Sequence, residues 1–411
     1  MKQPTNNRVE LLAPAGSYEK MLTAFHFGAD AVYLAGKSFG LRAFADNFTD
    51  QQIASAVQYA HSIGKKVFVT VNVFAHNKDF DGLKAYLTVL EDAQVDAVIV
   101  SDLGVFSYVK QNSNLNVHVS TQANTTNKYS VKAWTDMGAE RVVLAREVGL
   151  KNIKEIKEFC PQTQLETFVH GAMCISYSGR CLLSNYLTHR DGNKGECVQA
   201  CRWAWNVKEE SRDEWLPVQQ DERGTYIFNS KDMNMLAHVD KLIETGIDSF
   251  KIEGRMKSAF YVATTINAYR RAIDAYYNGT FTQDLVDQLN LDLNKASHRK
   301  YTTGFYFDEE QSRQYYESSR AVEESKFIAK VLDYQDGIVT VEQRNKFIPG
   351  DVLEILSCGN SFNKTFTVGE VVDEKGNAVT VCNIVQQTLR FACPHPVMAG
   401  DILRLPVKQT N

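Results

Sequence analysis

Short runs of consecutive apolar residues alternate with amphipathic segments along the first two-thirds of the chain. Four of these runs repeat one arrangement, in which a helix end is followed by an acidic residue and then by a strand. The segments between the runs, such as Asp50 to Ile63 and Lys151 to Phe159, carry apolar residues at helical spacing. Apolar strands that alternate with helices predict a parallel sheet covered by helices. Nine strands are predicted, in the repeats 28–36, 94–102, 138–146 and 246–254 and in the segments 9–13, 66–72, 116–121, 165–170 and 226–229.

A closed, TIM-like β/α barrel is the favoured architecture for this part of the chain. Nine candidates compete for eight places, and we expect Tyr226 to Asn229 to lie outside the barrel. The alternative is an open doubly wound sheet, which usually carries a glycine-rich phosphate-binding turn after its first strand. The turn at Leu12 to Ser17 lacks the G-x-G-x-x-G spacing, and this favours the barrel.

The alternation of strands and helices stops near residue 300. A polar, tyrosine-rich linker is predicted there, and short strands with turn residues between them follow it. The similar segments Pro349 to Ile355 and Ala399 to Leu405 suggest two equivalent edges of a small β-barrel. Further strands are predicted at Phe327 to Tyr334, Ile338 to Gln343 and Ala378 to Ile384. The predicted units are a barrel domain at 1–300 with a Cys-rich insertion at about 171–225, a linker at 301–325 and a small all-β barrel domain at 326–411.

Composition narrows the class of protein. A chain of 411 residues with 44% hydrophobic content can bury one large core and a smaller second one. The N-terminus has no apolar leader, and no later run approaches the roughly 18 apolar residues that a membrane span needs. We therefore expect a cytoplasmic protein without a membrane partner. The net charge of −4 provides no global attraction for nucleic acid, so RNA binding would depend on a local basic patch.

Four of the eight cysteines crowd into one short window, as Cys174, Cys181, Cys197 and Cys201. Thiolates are ligands for zinc, copper(I) and iron-sulfur clusters, and four of them complete a tetrahedral zinc site or a 4Fe-4S cluster. The spacing lacks the C-x2-C pairs of a zinc ribbon and therefore favours iron-sulfur over zinc. The alternative, four thiols packed as small apolar side chains, is disfavoured by polar neighbours. The remaining cysteines, Cys160, Cys358, Cys382 and Cys393, are expected to be structural.

The position of this cluster suggests a functional role. It begins just after the predicted strand Leu165 to His170, at the end of the barrel where enzymes build their active sites. Cations with aromatic residues between them can hold phosphates and stack on bases. A solvated loop with core-facing Trp203 and Trp205 is the alternative. The candidate RNA-binding residues are Arg180, Arg190, Lys194 and Arg202.

Polar residues at the ends of the other strands are candidates for a pocket at the same mouth. Each of them, taken alone, is also explained as a structural ion pair or a helix cap. Together they would place several cations at one mouth, which suits an anionic ligand because guanidinium groups grip carboxylates bidentately. Lys251 and Glu253 share one face of their strand, and we expect that face to point inward. Hydrolase motifs such as H-E-x-x-H and G-x-S-x-G are absent from the sequence.

The run from Glu166 to Ser184 resembles the signature of the peptidase U32 family, also called collagenase-like proteases. It contains Cys174 and Cys181. The resemblance spans about residues 8 to 405, and the layout is most similar to the tRNA hydroxylation proteins of the family. Supporting stretches are Glu10 to Gly16, Ala31 to Gly36, Asn229 to Asp232, Lys251 to Arg255 and His298 to Gly304.

The resemblance implies a β/α barrel with a 4Fe-4S cluster on four cysteines, of which Cys201 is the least secure ligand because some relatives place the fourth one farther downstream. It implies formation of 5-hydroxyuridine at the tRNA wobble position, with prephenate as co-substrate and a second family member or a homodimer as further partner. Relatives act in ribosomal RNA hydroxylation and ubiquinone hydroxylation. The alternatives are a metal-dependent peptidase, which the older family name suggests, and a non-catalytic tRNA-binding protein. The candidate catalytic residues are Glu253, Arg255, Lys231 and His170, and the candidate substrate-binding residues are Arg146, Lys251, Asn72, Asp102 and Gln122.

Overall fold

The structure is a computed structural model that describes residues 8–39, 47–73, 75–174, 231–307 and 324–407, with parts of the segment 177–225. No helix in these ranges is both long enough and apolar enough to cross a membrane.

Eight parallel strands form the closed barrel that the sequence predicts. Each strand pairs with the next along the chain, and β11 pairs with both β7 and β1, which closes the barrel. All eight coincide with predicted strands, whereas Tyr226 to Asn229 lie outside the described residues. The barrel strands are β1 (Glu10–Pro14), β2 (Ala31–Ala35), β3 (Lys66–Thr70), β4 (Ala97–Val100), β5 (Val117–Val119), β6 (Arg141–Val143), β7 (Gln164–Ala172) and β11 (Ser249–Ile252).

In three of the four repeats, the acidic residue before the strand binds a backbone N–H of a neighbouring strand, whereas Glu140 of the fourth repeat pairs with His118. Asp30 accepts a hydrogen bond from the backbone N–H of Leu11, and Asp96 and Asp248 bind the N–H groups of Val67 and Leu165 in the same way, at 2.7–3.0 Å. Each carboxylate therefore ties its own strand to the start of a neighbouring strand. This contact satisfies a backbone donor at the bottom of the barrel.

Helices cover the outside of the barrel, and most begin at a residue that caps them. The predicted helix at Asp50 to Ile63 starts with a capping box between Thr49 and Gln52, and the one at Lys151 to Phe159 is also present. The helices are α1 (Tyr18–His26), α2 (Asp50–Ser62), α3 (Leu83–Asp92), α4 (Leu103–Asn112), α5 (Lys128–Asp136), α6 (Leu150–Phe159), α7 (Leu183–Thr188), α8 (Val239–Glu244), α9 (Ala259–Tyr277) and α10 (Gln283–Leu293).

Short strands extend the barrel sheet beside β7. Residues of β10 (Asp232–Asn234) run antiparallel to the end of β7, and β12 (Tyr301–Thr302) runs parallel to β10. A two-stranded hairpin of β8 (Gln220–Asp221) and β9 (Gly224–Thr225) precedes them. This extension lies where the cysteine segment leaves the barrel.

The C-terminal part is an all-β half-barrel, as predicted. The suggestion that Pro349 to Ile355 and Ala399 to Leu405 form two edges is wrong, because Glu354 of β15 pairs directly with Arg404 of β19 inside the sheet. The edge strands are β16 and β17. The strands are β13 (Ser325–Gln335), β14 (Ile338–Gln343), β15 (Val352–Leu356), β16 (Thr365–Thr367), β17 (Val371–Asp373), β18 (Thr388–Ala392) and β19 (Ile402–Pro406).

The predicted strand Ala378 to Ile384 is also wrong. Its residues make only isolated bridges, between Ala378 and Val372 and between Cys382 and Phe347. The strand that pairs with β14 is Thr388–Ala392, a few residues farther along. Apolar residues alternate with polar ones in both segments, so the pattern alone does not show which of them reaches the neighbouring strand.

Candidate active site

Arg146 and Glu253 lie at the mouth of the barrel, just beyond β6 and β11. The Arg146 guanidinium is 3.9 Å from the centre of the Phe168 ring, and its Nη2 is 3.8 Å from Glu253 Oε2. Both side chains are largely buried, with 11% and 13% of their surface exposed. The aromatic face fixes the plane of the guanidinium, so this group can present its hydrogen-bond donors to an anion.

A buried ion network forms the floor below this pair. Lys251 Nζ is 2.6 Å from Glu166 Oε1, and Arg141 bridges Glu166 and Glu10. Burial alone would raise the pKa of Glu166, but the charges of Lys251 and Arg141 hold this pKa below its ordinary value. Lys251 points inward, as its strand position predicts, and lies over the rings of Tyr33 and Phe168. Its ammonium is already paired with Glu166 and therefore serves the floor of the pocket.

Amide side chains line another side of the mouth. Asn72 Nδ2 donates to Gln122 Oε1 at 2.5 Å, and the Ser101 hydroxyl donates to the Asn72 carbonyl at 2.8 Å. These contacts join the ends of β3, β4 and β5. Asp102, in contrast, accepts a hydrogen bond from the Val105 N–H and is the N-cap of α4.

Two further candidate residues occupy different surroundings. Arg255 is 5% exposed and donates through Nη2 to Asn47 Oδ1 at 2.9 Å, across the turn that follows β11. Lys231 immediately precedes β10 and is half-buried. The structure therefore attaches Arg255 to the segment before α2 and places Lys231 beside the sheet extension.

His170 lies in a buried cluster of aromatic rings. Its ring centre is 5.4–6.0 Å from those of Tyr261, Tyr269 and Tyr301. Burial, with the charges of His298 and Lys257, lowers the pKa of His170 to about 3. The imidazole is therefore neutral near neutral pH, and any role in proton transfer would have to begin from that form.

The cysteine segment starts at the end of β7. The chain leaves the barrel at Gly171, where only glycine fits. A Cβ atom at this position would lie 2.6 Å from the Glu253 carbonyl oxygen, and the backbone φ of +109° is one that other residues rarely adopt. Of the four predicted ligands, Cys174 and Cys197 are exposed and Cys181 is half-buried, and none of these three forms a disulfide bond, whereas Cys201 lies outside the described residues.

Ser184 joins two parts of this segment. Its hydroxyl donates to the Arg190 carbonyl at 2.8 Å and accepts from the Val198 N–H at 3.1 Å. Ser184 follows Cys181 by three residues and Val198 follows Cys197 by one, so this contact holds the two cysteines in neighbouring stretches of chain. Within the part of the chain that the structure describes, Cys174, Cys181 and Cys197 are not among the ligand groups that lie within 4.8 Å of one another. The chemistry of the three thiols, rather than their spacing, suits a thiolate-bound centre.

Only part of the predicted RNA-binding set can be located. Arg190 is exposed beside α7, and Arg180, Lys194 and Arg202 lie outside the described residues. A cleft of about 490 Å³ opens beside the mouth, after the ends of β2 and β3, and Asp50, Asp79 and Asp81 are among its lining residues. Its acidic lining suits cations, so it does not compete with the mouth as a site for an anion.

Sequence reasoning missed Phe168, Glu166 and Arg141 as parts of this site. A signal was present, because Glu166 and Arg141 are charged residues inside strands that are otherwise apolar. A buried charge needs a partner, and partners in a barrel come from neighbouring strands. Phe168 gave no such signal, since an aromatic residue in a strand is normally part of the core.

Comparisons with known proteins extend over nearly the whole chain. Residues 16–315 match the model of peptidase family U32, and residues 323–404 match the model of the peptidase family U32 C-terminal domain. The "tRNA hydroxylation protein P1" of Bacillus subtilis is 38% identical to this chain, and the similarity covers 98% of this chain and 96% of that protein. The "tRNA hydroxylation protein P" of Escherichia coli is 36% identical over 90% of this chain and 91% of its own. A protein named "Collagenase" from Porphyromonas gingivalis is 31% identical over 73% and 74% of the two chains.

Proposed function

The chain belongs to peptidase family U32, and we propose from this premise that it is an RNA-modifying enzyme that takes part in tRNA hydroxylation. Its product would be 5-hydroxyuridine at the wobble position, with prephenate as co-substrate. The observation that carries this proposal is the similarity to a protein named for tRNA hydroxylation over 98% of the chain. Because both family models are matched, the likeness includes the barrel and the β half-barrel.

The geometry of the mouth supports an anionic co-substrate. Prephenate is a dicarboxylate, and a guanidinium fixed on an aromatic face can grip one carboxylate with two hydrogen bonds. Arg146 has this arrangement over Phe168. Its Nη2 lies 3.8 Å from Glu253 Oε2, so the mouth places a guanidinium and a carboxylate side by side, and the guanidinium supplies the positive charge that a carboxylate ligand requires. Asn72 and Gln122 would supply neutral hydrogen-bonding groups on the other side.

The four clustered cysteines would hold the 4Fe-4S cluster, with zinc as the alternative metal. When bound, such a cluster supplies one-electron chemistry or Lewis acidity close to the mouth. Cys174, Cys181 and Cys197 are at or near the surface and outside disulfide bonds, and the chemistry of these donors fits a thiolate-bound cluster. The chain's own contribution is Gly171, whose positive φ and missing Cβ let the end of β7 pass close to the Glu253 backbone just before the first predicted ligand, Cys174.

Binding of tRNA would use the same end of the molecule. Arg190 is exposed close to Cys181 and Cys197, and Arg180, Lys194 and Arg202 belong to the same segment of the sequence. Cations near the reacting base would hold the backbone phosphates while the base enters the mouth. The overall charge of −4 makes such a local patch necessary.

Peptidase activity is the second candidate, because one relative carries the name collagenase. The environment of His170 argues against it as the base of a hydrolytic centre, since a pKa of about 3 and three surrounding tyrosines leave a weakly basic imidazole. A non-catalytic tRNA-binding protein is the remaining alternative. If the protein only binds tRNA, substitution of mouth residues such as Arg146 would leave the 5-hydroxyuridine content of tRNA unchanged.

A nucleoside analysis tests the proposed function. A strain lacking the gene is grown without oxygen, so that an oxygen-dependent route cannot replace the enzyme, and its tRNA nucleosides are measured by mass spectrometry. We expect 5-hydroxyuridine and its derivatives to disappear and to return with the wild-type gene but not with a gene for Arg255→Ala. Unchanged 5-hydroxyuridine in the deletion strain would refute the proposal. Iron, sulfide and zinc analysis of the anaerobically purified Arg255→Ala protein then distinguishes loss of catalysis from loss of the cluster.

A further inference from the structure

A second group of potential metal ligands lies far from the barrel mouth, where the half-barrel packs on the β/α barrel. One ligand atom from each of His26, Cys358 and Asp401 lies within 4.8 Å of the others. Among the residues that the structure describes, these are the three His, Cys, Asp or Glu side chains whose ligand atoms come within 4.8 Å of one another. We propose that these three residues bind a zinc ion, or a divalent ion with a similar preference for nitrogen, sulfur and oxygen ligands, and that the bound ion joins the two domains.

The three ligands come from three separate elements. His26 is the last residue of α1 on the barrel, Cys358 follows the end of β15, and Asp401 immediately precedes β19. An ion bound by all three would therefore link one barrel helix to two loops of the half-barrel. The three ligands lie together only when the two domains are docked. Binding of the ion would therefore stabilise the docked arrangement.

The distances are close to those of a zinc site. Zinc bonds of about 2.0–2.3 Å to nitrogen, oxygen and sulfur place two ligands of a tetrahedral ion roughly 3.3–3.7 Å apart. His26 Nε2 and Asp401 Oδ1 are 2.8 Å apart, and all three ligand atoms fall within 4.8 Å. A bound zinc ion would replace the hydrogen bond between His26 and Asp401, and the two ligand atoms would move apart to the zinc spacing. A neutral imidazole, a thiolate and a carboxylate balance the two positive charges of the ion.

The surroundings hold these ligands in place. The Asp401 side chain has no exposed surface, and its second oxygen accepts the Met398 N–H at 3.0 Å. Arg271 donates to the carbonyl oxygens of Ser357 and Gly359, on either side of Cys358, at 2.9 and 3.1 Å. Oriented neighbours of this kind are what metal ligands require. Cys358 is exposed, so its side of the site leaves a fourth position for water.

The backbone at the site is also shaped around the histidine. Gly400 has a φ of +101°, and a Cβ atom there would lie 2.9 Å from the His26 ring. The half-barrel therefore approaches the imidazole as closely as a glycine allows. An ordinary His–Asp ion pair does not need this approach, because His61 and Asp96 make such a pair at 3.1 Å with both side chains partly exposed. His61 also stands in the last turn of its helix, α2, which makes it a matched control.

The experiment compares four full-length proteins: the wild type, Cys358→Ser, His26→Gln and His61→Gln. Each is equilibrated with zinc, freed from unbound metal and analysed for zinc per chain; zinc held by the clustered cysteines is common to all four. We expect Cys358→Ser and His26→Gln to bind one equivalent less than the wild type and His61→Gln to bind the same amount. Circular dichroism checks that the variants are folded.

Cobalt and thermal unfolding give independent readouts. Cobalt bound to the wild type should show a thiolate charge-transfer band whose intensity falls in Cys358→Ser. Zinc should raise the Tm of the wild type and of His61→Gln more than the Tm of Cys358→Ser. Equal zinc content in the wild type and in Cys358→Ser, or a normal zinc content in His26→Gln, would overturn the proposal. The outcome is independent of tRNA hydroxylation, which none of these readouts measures.

Discussion

At the scale of single residues, Glu166 is the charge on which the floor of the barrel depends. It has no exposed surface and lies between Lys251 and Arg141. Replacement by glutamine leaves buried Lys251 without its counter-charge and leaves Arg141 with Glu10 as its remaining carboxylate partner. We therefore expect Glu166→Gln to lower the free energy of unfolding by about 3–5 kcal/mol. Urea unfolding measures this. Glu140→Gln is the control, because the Glu140 carboxylate is 40% exposed and lies 3.7 Å from the buried His118 ring of the same barrel. Its replacement should cost less than about 1 kcal/mol.

The same residue makes stability depend on pH. The pKa of Glu166 in the folded protein lies below its ordinary value, so the ionised carboxylate stabilises the fold. This contribution is fully present above the ordinary carboxyl pKa and is lost as the pH falls through the lower pKa of the folded state. Unfolding free energies measured from neutral to acidic pH should therefore decline less steeply in Glu166→Gln than in the wild type. Identical slopes would show that Glu166 is not a strongly perturbed group.

Arg146 is the residue we expect to decide co-substrate binding. Arg146→Lys keeps the positive charge but loses the planar donors that stack on Phe168. We expect the KM for prephenate to rise about tenfold or more, equivalent to about 1.4 kcal/mol, while the folded structure is retained. Arg8→Lys is the control, because Arg8 also faces a ring, that of Tyr277, and pairs with Asp274 away from the mouth. A KM equal to that of the wild type would exclude Arg146 from the site.

At the scale of elements, Tyr269 of α9 fastens the sheet extension to β7. Its hydroxyl donates to the Val169 carbonyl at 2.7 Å and accepts from the Met235 N–H at 3.0 Å. Tyr269→Phe removes the bonds of the hydroxyl to both groups, but the Met235 N–H still donates to the Val169 carbonyl at 3.0 Å. The substitution should therefore destabilise the protein by about 0.5–1.5 kcal/mol. Thermal or urea unfolding measures the effect. Tyr276→Phe, in the last turn of the same helix and less buried, should have a smaller effect; equal losses would contradict this reading.

The elements themselves were predictable to different degrees. The barrel strands could be recognised because both of their faces are buried, so each is a continuous apolar run, as in Ala31–Ala35 and Ala97–Val100. The half-barrel was harder, because its strands have one exposed face and alternate like the segments beside them. Ala378 to Ile384 has that pattern without the pairing, and Thr365–Thr367 is too short to stand out.

At the scale of the whole molecule, a buried ion network joins the two domains. Arg404 of β19 has no exposed surface and binds Asp292 of α10 and Glu354 of β15, while Lys295 also contacts both acids. Asp292→Asn would leave Arg404 partly uncompensated at the interface, and we expect a loss of about 3–5 kcal/mol. Hydrogen exchange should then increase in both β19 and α10. Faster exchange in α10 alone would show that the network does not couple the domains.

Contacts of this kind explain what the sequence could not reveal. The mouth residues were predictable because each follows a strand, and the parallel barrel brings all such ends together. Arg404 and Asp292, or His26 and Asp401, are separated by more than a hundred residues and belong to different domains. These residues come into contact only because the half-barrel packs on the β/α barrel. The hydrophobic pattern of neither segment records this packing. Cys358 is the clearest example, because only the folded chain brings it within 4.8 Å of His26 and Asp401; its expected structural role stays a prediction.

The most direct measurement of the central proposal uses purified components. Protein purified and reconstituted with iron and sulfide under anaerobic conditions is incubated with tRNA from the deletion strain, with or without prephenate, and the nucleosides are analysed by mass spectrometry. We expect 5-hydroxyuridine only with wild-type protein and prephenate together, and none with Arg146→Ala or Cys174→Ser. Absence of 5-hydroxyuridine from the complete wild-type reaction, or equal formation without prephenate, would contradict the proposed chemistry.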